Sequence, residues 1–209
     1  MTLEKIFNMF VVLLVVIDPF GVTPLFGALT RGEGELHRRR MAFKGTALAA
    51  GILLVFACIG DWLLTTLGIS LPAFKIAGGV LLFLIAMDMV FARQSGGRSA
   101  TGREQEEARH KEDISVFPLA FPLIAGPGAL TTLLLMVGES RGHPLYFAVM
   151  IGVLLAVLLL TLLCLLSAGY LMKLMGETGA NVLDRLFGVI LAALAVQFVI
   201  DGVRAVFVA

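Results

Sequence analysis

Charge is what this chain lacks most. Only 15% of its 209 residues are Asp, Glu, Lys or Arg, against about 25% in ordinary soluble domains. The formal net charge of +1 offers no basic surface, so no nucleic-acid partner is expected. Cysteine is nearly absent too. Cys58 and Cys164 stand singly inside apolar runs, with no metal-ligand or redox spacing, and read as small apolar residues. The three histidines, His37, His110 and His143, all fall in the polar segments between apolar runs. No H-E-x-x-H, G-x-S-x-G or phosphate-binding loop occurs. These gaps argue against an enzyme, and no catalytic residue, metal or cofactor is expected. Without ATPase machinery, any pumping is secondary or depends on a partner.

What the chain has in excess is apolar length: 59% of residues are hydrophobic and the mean hydropathy is +0.98. Six stretches reach the roughly 20 residues that a helix needs to cross about 30 Å of hydrocarbon. They cover 3–30, 42–67, 71–91, 114–138, 144–174 and 181–208. The expected class is therefore an all-α membrane protein. Lys5 followed by apolar sequence resembles a signal peptide. No A-x-A site follows, so the run is read as half of a retained span. Two connections are long: the basic 31–44 and the polar 94–113, which contains Gly96-Gly97. Of the 16 Lys and Arg residues, all but Lys5, Lys75, Arg141 and Arg204 fall on one side of an alternating six-span plan. The positive-inside rule places that side in the cytoplasm and both termini outside.

The sequence also repeats. Pro19 and Thr23 of Asp18-Pro19-Phe20-Gly21-Val22-Thr23 align with Pro127 and Thr131 of Gly126-Pro127-Gly128-Ala129-Leu130-Thr131. Leu67-Gly68-Ile69-Ser70 aligns with Met175-Gly176-Glu177-Thr178, and Lys75-Ile76-Ala77-Gly78-Gly79 with Arg185-Leu186-Phe187-Gly188-Val189. The near-constant offset predicts a three-helix repeat over 1–93, a polar cytoplasmic loop over 94–113 and a second three-helix repeat over 114–209. With three spans per repeat, the second enters the membrane inverted, as in many secondary transporters.

The first and fourth spans are each interrupted near their middle, at Asp18-Pro19-Phe20-Gly21 and Ala125-Gly126-Pro127-Gly128. Proline removes a backbone donor and clashes with the preceding turn. Lipid tolerates such a break only where protein or a cavity covers the freed backbone. Each restarted half-helix carries unpaired N–H groups and a partial positive charge, an arrangement that binds anions. The candidate substrate site is therefore Asp18, Pro19, Phe20, Gly21, Val22 and Thr23 together with Ala125, Gly126, Pro127, Gly128, Ala129 and Thr131. A carboxylate would rest on the N–H groups of both breaks, and the carbonyl ends of the preceding half-helices suit an ammonium or a coupling proton or sodium ion. Asp18 is either the N-cap of the second half-helix or an intramembrane acid acting on substrate or proton. Asp88 and Gln197 are the other polar residues within spans. Gly78-Gly79, Gly188…Ala192 and Ala47…Gly51 offer small faces for close helix contact.

Val16-Ile17-Asp18-Pro19-Phe20-Gly21-Val22-Thr23-Pro24-Leu25-Phe26 resembles the first-span signature of the MarC family of bacterial and archaeal membrane proteins. The stretch from Phe117-Pro118 through Ala125-Gly126-Pro127-Gly128 to Thr131-Thr132 is similar to its fourth-span signature, and Phe74–Leu82 to its third span. Val22 departs from the pattern, where asparagine is expected. The resemblance implies six transmembrane helices in the inner membrane and, for some members, transport of neutral amino acids such as glycine and alanine. The expectation is a secondary transporter of small neutral amino acids with alternating access around the two breaks. The alternatives are a channel, a transporter of another small solute or ion, and a structural protein with no transport of its own.

Overall fold

The computed structural model describes residues 2–30, 32–91, 113–140 and 143–207, leaving aside the side chains of 61, 139, 172–178 and 180. The expected polar loop at 94–113 lies outside these residues except for Asp113, as do Arg31, Arg141 and His110. The described residues form helices and short connections, with no strand among them. The first span is α1 (Leu3–Ile17) and α2 (Pro19–Leu29), followed by α3 (Glu35–Thr66) and α4 (Leu71–Phe91). The fourth span is the irregular segment α5 (Ser115–Ile124) and α6 (Pro127–Glu139); α7 (Pro144–Leu166) and α8 (Ala168–Phe207) complete the chain. Five helices, counting α1 and α2 together, are long and apolar enough to cross a membrane, and α5 with α6, bent by 54°, makes the sixth.

Two boundaries differ from those read in the sequence, both where polar residues extend a helix. α3 starts at Glu35 rather than at 42, supported by the Glu35–Arg39 pair at 2.6 Å, one turn apart. The expected connection at 175–180 is helical; the chain turns instead at Ser167. Lys, Leu, Met, Glu and Ala are good helix formers, and Gly176 and Gly179 weaken a helix without ending it. The Ser167 N–H closes α7 on the Leu163 carbonyl at 3.0 Å. The Ser167 carbonyl opens α8 by accepting from Tyr170 and Leu171, each at 2.9 Å.

α5 is irregular because of its prolines. The residue before a proline is pushed out of the helical region, and Phe117 (φ −130°, ψ 127°) and Phe121 (φ −136°, ψ 129°) are extended. Each lies inside a widened turn, closed by the Leu119 N–H on Ile114 O at 3.1 Å and by the Ala125 N–H on Ala120 O at 2.9 Å.

The first span has 56% of its apolar window buried inside the protein, against 22% for the last span, and the fourth is buried along most of its length, including all of 131–137. The broken helices are thus at the centre, while Trp62, Leu84, Leu159 and Val189 are among the large apolar side chains facing outward. α4 and α8 form the most extensive helix pair, running antiparallel on a seam of glycines. Gly202 meets Pro72 and Ile76, Gly79 meets Ala195 and Val199, and Gly188 meets Met89 and Val90. A Cβ on Gly79 would lie 2.7 Å from the Ala195 carbonyl oxygen and 3.1 Å from the Val199 nitrogen. Backbone approaches backbone there, as small residues allow in lipid. Gly51, on the other expected small face, has no neighbour.

Candidate functional site

The first break is organised by Asp18. Its φ of 47° and ψ of 71° are left-handed, a region where aspartate is tolerated better than most side chains. Its N–H ends α1 on the Leu14 carbonyl at 2.8 Å, and its own carbonyl accepts from the Val22 N–H at 3.1 Å. The carboxylate Oδ1 accepts the Gly21 N–H at 3.1 Å, an N-cap with Pro19 in the first helical position. Thr23, also buried, returns its hydroxyl to the Pro19 carbonyl at 2.6 Å. The donors of Gly21 and Val22, expected to hold a ligand anion, are therefore engaged by Asp18 itself. This break presents a fully buried carboxylate rather than an anion cradle.

A second carboxylate faces the first. A Cβ on Gly21 would overlap the Asp18 carboxylate and lie 2.8 Å from Asp184 Oδ1. Glycine at this position leaves room for two acids, one from the break and one from α8. Asp184 is half-buried, and Phe20 packs its ring against Phe187, one turn further along α8, at 5.9 Å. Reading the sequence missed Asp184, because an acid in the first turn of a span, beside Arg185, looks interfacial. The available signal was its position three residues inside an apolar span.

The second break is built differently. Gly126 is an extended N-cap (φ −75°, ψ 174°) with no side-chain cap, and Pro127 begins α6. The Gly126 carbonyl accepts from Leu130 at 3.0 Å. The N–H groups of Gly128 and Ala129 belong to the first turn, where a helix has no internal acceptor. No acidic side chain stands in the first turn of α6, so its positive end lacks the local carboxylate that α2 has. A Cβ on Gly128 would lie 2.9 Å from Leu82, 3.4 Å from Ile85 and 3.5 Å from Val16. Val16 precedes Asp18 by two residues, so the two breaks adjoin.

The remaining polar candidates separate. Thr131 is buried against Gly78 of α4. Thr132 is fully buried, and its Oγ1 has no hydrogen-bond partner among the described residues. It lies one turn beyond Gly128, on the same face of α6. Gln197 is exposed and donates to Asp201 on its own helix at 2.7 Å; Asp88 is half-buried near the end of α4. The cavity at the second break, lined by Val16, Leu82, Ile85, Gly126, Gly128 and Leu191 among others, measures about 10 Å³. That is the threshold for one water. Among the described residues no group of three His, Cys, Asp or Glu could hold a metal ion.

A helical bundle with five to six candidate membrane spans agrees with the comparison of the whole chain: the model of the MarC family integral membrane proteins matches residues 3–207. The chain belongs to the MarC family. A UPF0056 membrane protein of Methanocaldococcus jannaschii is 41% identical over 189 residues, 90% of this chain and 91% of the relative. UPF0056 membrane protein YvbG of Bacillus subtilis is 35% identical and covers 99% of this chain and 98% of its own length. YhcE of Escherichia coli is 32% identical, with 96% and 93% covered. No solved structure matches the chain. As a MarC family member it is an integral, multi-pass membrane protein with relatives in bacteria and archaea.

Proposed function

We propose that this MarC family protein is a secondary transporter of small neutral amino acids, of glycine or alanine size, in the inner membrane. The observation that carries the reading is the unlike chemistry of the two adjoining breaks. One offers a buried carboxylate, joined by Asp184; the other offers a helix N-terminus with no side-chain cap. A zwitterion matches both: its carboxylate would take the N–H groups of Gly128 and Ala129, and its ammonium would face Asp18. Thr132 adds a buried hydroxyl on the α6 side. The Asp18–Asp184 pair is the place for a coupling proton or sodium ion, since two facing carboxylates favour a shared cation. No residue is assigned a catalytic role.

The antiparallel seam of α4 and α8 is the arrangement that inverted three-helix repeats would give their third members, and it supports alternating access. The cavity of about 10 Å³ cannot hold an amino acid, so this conformation is closed and transport requires α6 to part from α4 and α1. The same closure favours a second reading, a structural protein whose apolar centre never opens.

Uptake of labelled glycine and alanine into proteoliposomes, with and without a pH or sodium gradient, separates the two. Saturable uptake, driven by one gradient and abolished by Gly128→Val in protein that still inserts, is expected. Unitary currents instead would indicate a channel. Absence of uptake under every gradient, in folded protein, would leave the structural reading.

A further inference from the structure

A second polar cavity, of about 370 Å³, lies far from the breaks, where the start of α3 meets the turn between α7 and α8. Glu33, Glu35, Arg38, Arg39, Ser167 and Tyr170 are among the residues that line it. The charges there are unequally satisfied. Arg39 is paired with Glu35 at 2.6 Å, and Glu33 stands 4.0 Å from His37. Arg38 has no such partner: its Nε is buried without a hydrogen bond among the described residues. Its Nη2 is 3.8 Å from where a Cβ on Gly169 would be, directly over the first turn of α8. The negative end of α7 and the positive end of α8 meet at this turn, so their dipoles offset and neither supplies Arg38 with a counter-charge. Here the cation is partly removed from water.

We infer that this cavity binds a phosphate-bearing anion, held between the Arg38 guanidinium and the N-terminus of α8. An anion there would give the buried Arg38 Nε the partner it lacks. A phosphate can accept two parallel N–H bonds from arginine and further bonds from the free N–H groups of a first helical turn, with the Ser167 hydroxyl within the same cavity. The position suits a lipid headgroup. The 23 residues of α7 span about 35 Å at 1.5 Å each, so Ser167 sits where the hydrocarbon ends. This is the side that the arginines of α3 mark as cytoplasmic, where basic pockets between helices take anionic headgroups. Exposed Tyr170 is an aromatic of the kind found at that level.

The test is thermal unfolding of the purified full-length protein in detergent, titrated with phosphatidylglycerol, phosphatidylcholine or inorganic phosphate, with native mass spectrometry to count retained lipid. Phosphatidylglycerol should raise the midpoint and remain bound where phosphatidylcholine does not. Arg38→Gln should weaken that titration about tenfold, whereas Arg204→Gln, in the last turn of α8 and outside the cavity, should leave it unchanged. A full shift with inorganic phosphate alone would keep the site and assign it to a free anion. If Arg38→Gln does not fold, Arg38→Lys, which keeps the charge but loses the paired donors, should show the weakened titration. A wild-type protein indifferent to phosphatidylglycerol and phosphate alike, or a titration unchanged in both Arg38 variants, would overturn the assignment.

Discussion

At the scale of single residues, Asp18 joins two roles that substitution can separate. It caps α2 through Gly21 and holds a left-handed backbone at φ 47°; it also puts a carboxylate in the middle of the protein. Asn shares the capping ability and the tolerance for that backbone but carries no charge. Ala has neither property. Asp18→Ala should therefore cost about 1–2 kcal/mol through the lost cap, with further cost from the strained backbone, read as a lower unfolding midpoint in detergent. Asp18→Asn should keep nearly all of the stability and lose gradient-driven uptake. Equal transport by wild type and Asp18→Asn would reduce Asp18 to a cap. The cap itself could be read in the sequence, because Asp before Pro is a local signal. Asp184 was marked only by its position inside an apolar span; its proximity to Asp18 arises when α8 lies against Gly21, and no local pattern encodes that contact.

Among elements, the α4–α8 seam and the junction of α3 with the fourth span carry the clearest expectations. Gly79 faces backbone atoms of Ala195 and Val199 that cannot turn aside as a side-chain tip can. Gly79→Val should force the helices apart and cost several kcal/mol, on the order of an overpacked core. Gly51→Ala, at a position with nothing nearby, should be neutral; the same unfolding assay compares them. Lys44 bonds Asp113 at 2.5 Å, tying α3 to the start of α5. Together with the Ser115 bonds, that contact lowers the Asp113 carboxyl from 3.8 to about 2. A depressed folded-state pKa stabilises fully above 3.8 and is lost as pH falls toward 2. Because both side chains are about half exposed, the worth is under about 1 kcal/mol. Asp113→Asn should thus lower the midpoint slightly at pH 6 and make no difference near pH 2. Apolar length located the candidate spans, since that signal is local. The ends of α3 and α8 escaped because polar helix outside lipid and polar loop share a composition. The irregular course of α5 was foreshadowed only by Pro118 and Pro122.

For the whole molecule, the distribution of lysine and arginine should decide the orientation, and hence which face of the site each compartment sees. The bundle places the α2–α3 turn at one end of the spans and the α3–α4 turn at the other, because α3 crosses between them. Gly34 and Ser70 are exposed at these two turns, so one cysteine at each position reports the side directly. In a background with Cys58 and Cys164 replaced by alanine, Ser70→Cys should react with a membrane-impermeant maleimide added to intact spheroplasts. Gly34→Cys should react only after permeabilisation. The reverse pattern would turn the protein over, putting the arginine-lined cavity at α8 outside the cell and opposing the positive-inside rule. Labelling of Gly34→Cys and Ser70→Cys from the same side would mean that α3 does not cross. The proposal that the two halves are inverted repeats would then fail as well, because it depends on an odd number of crossings in each.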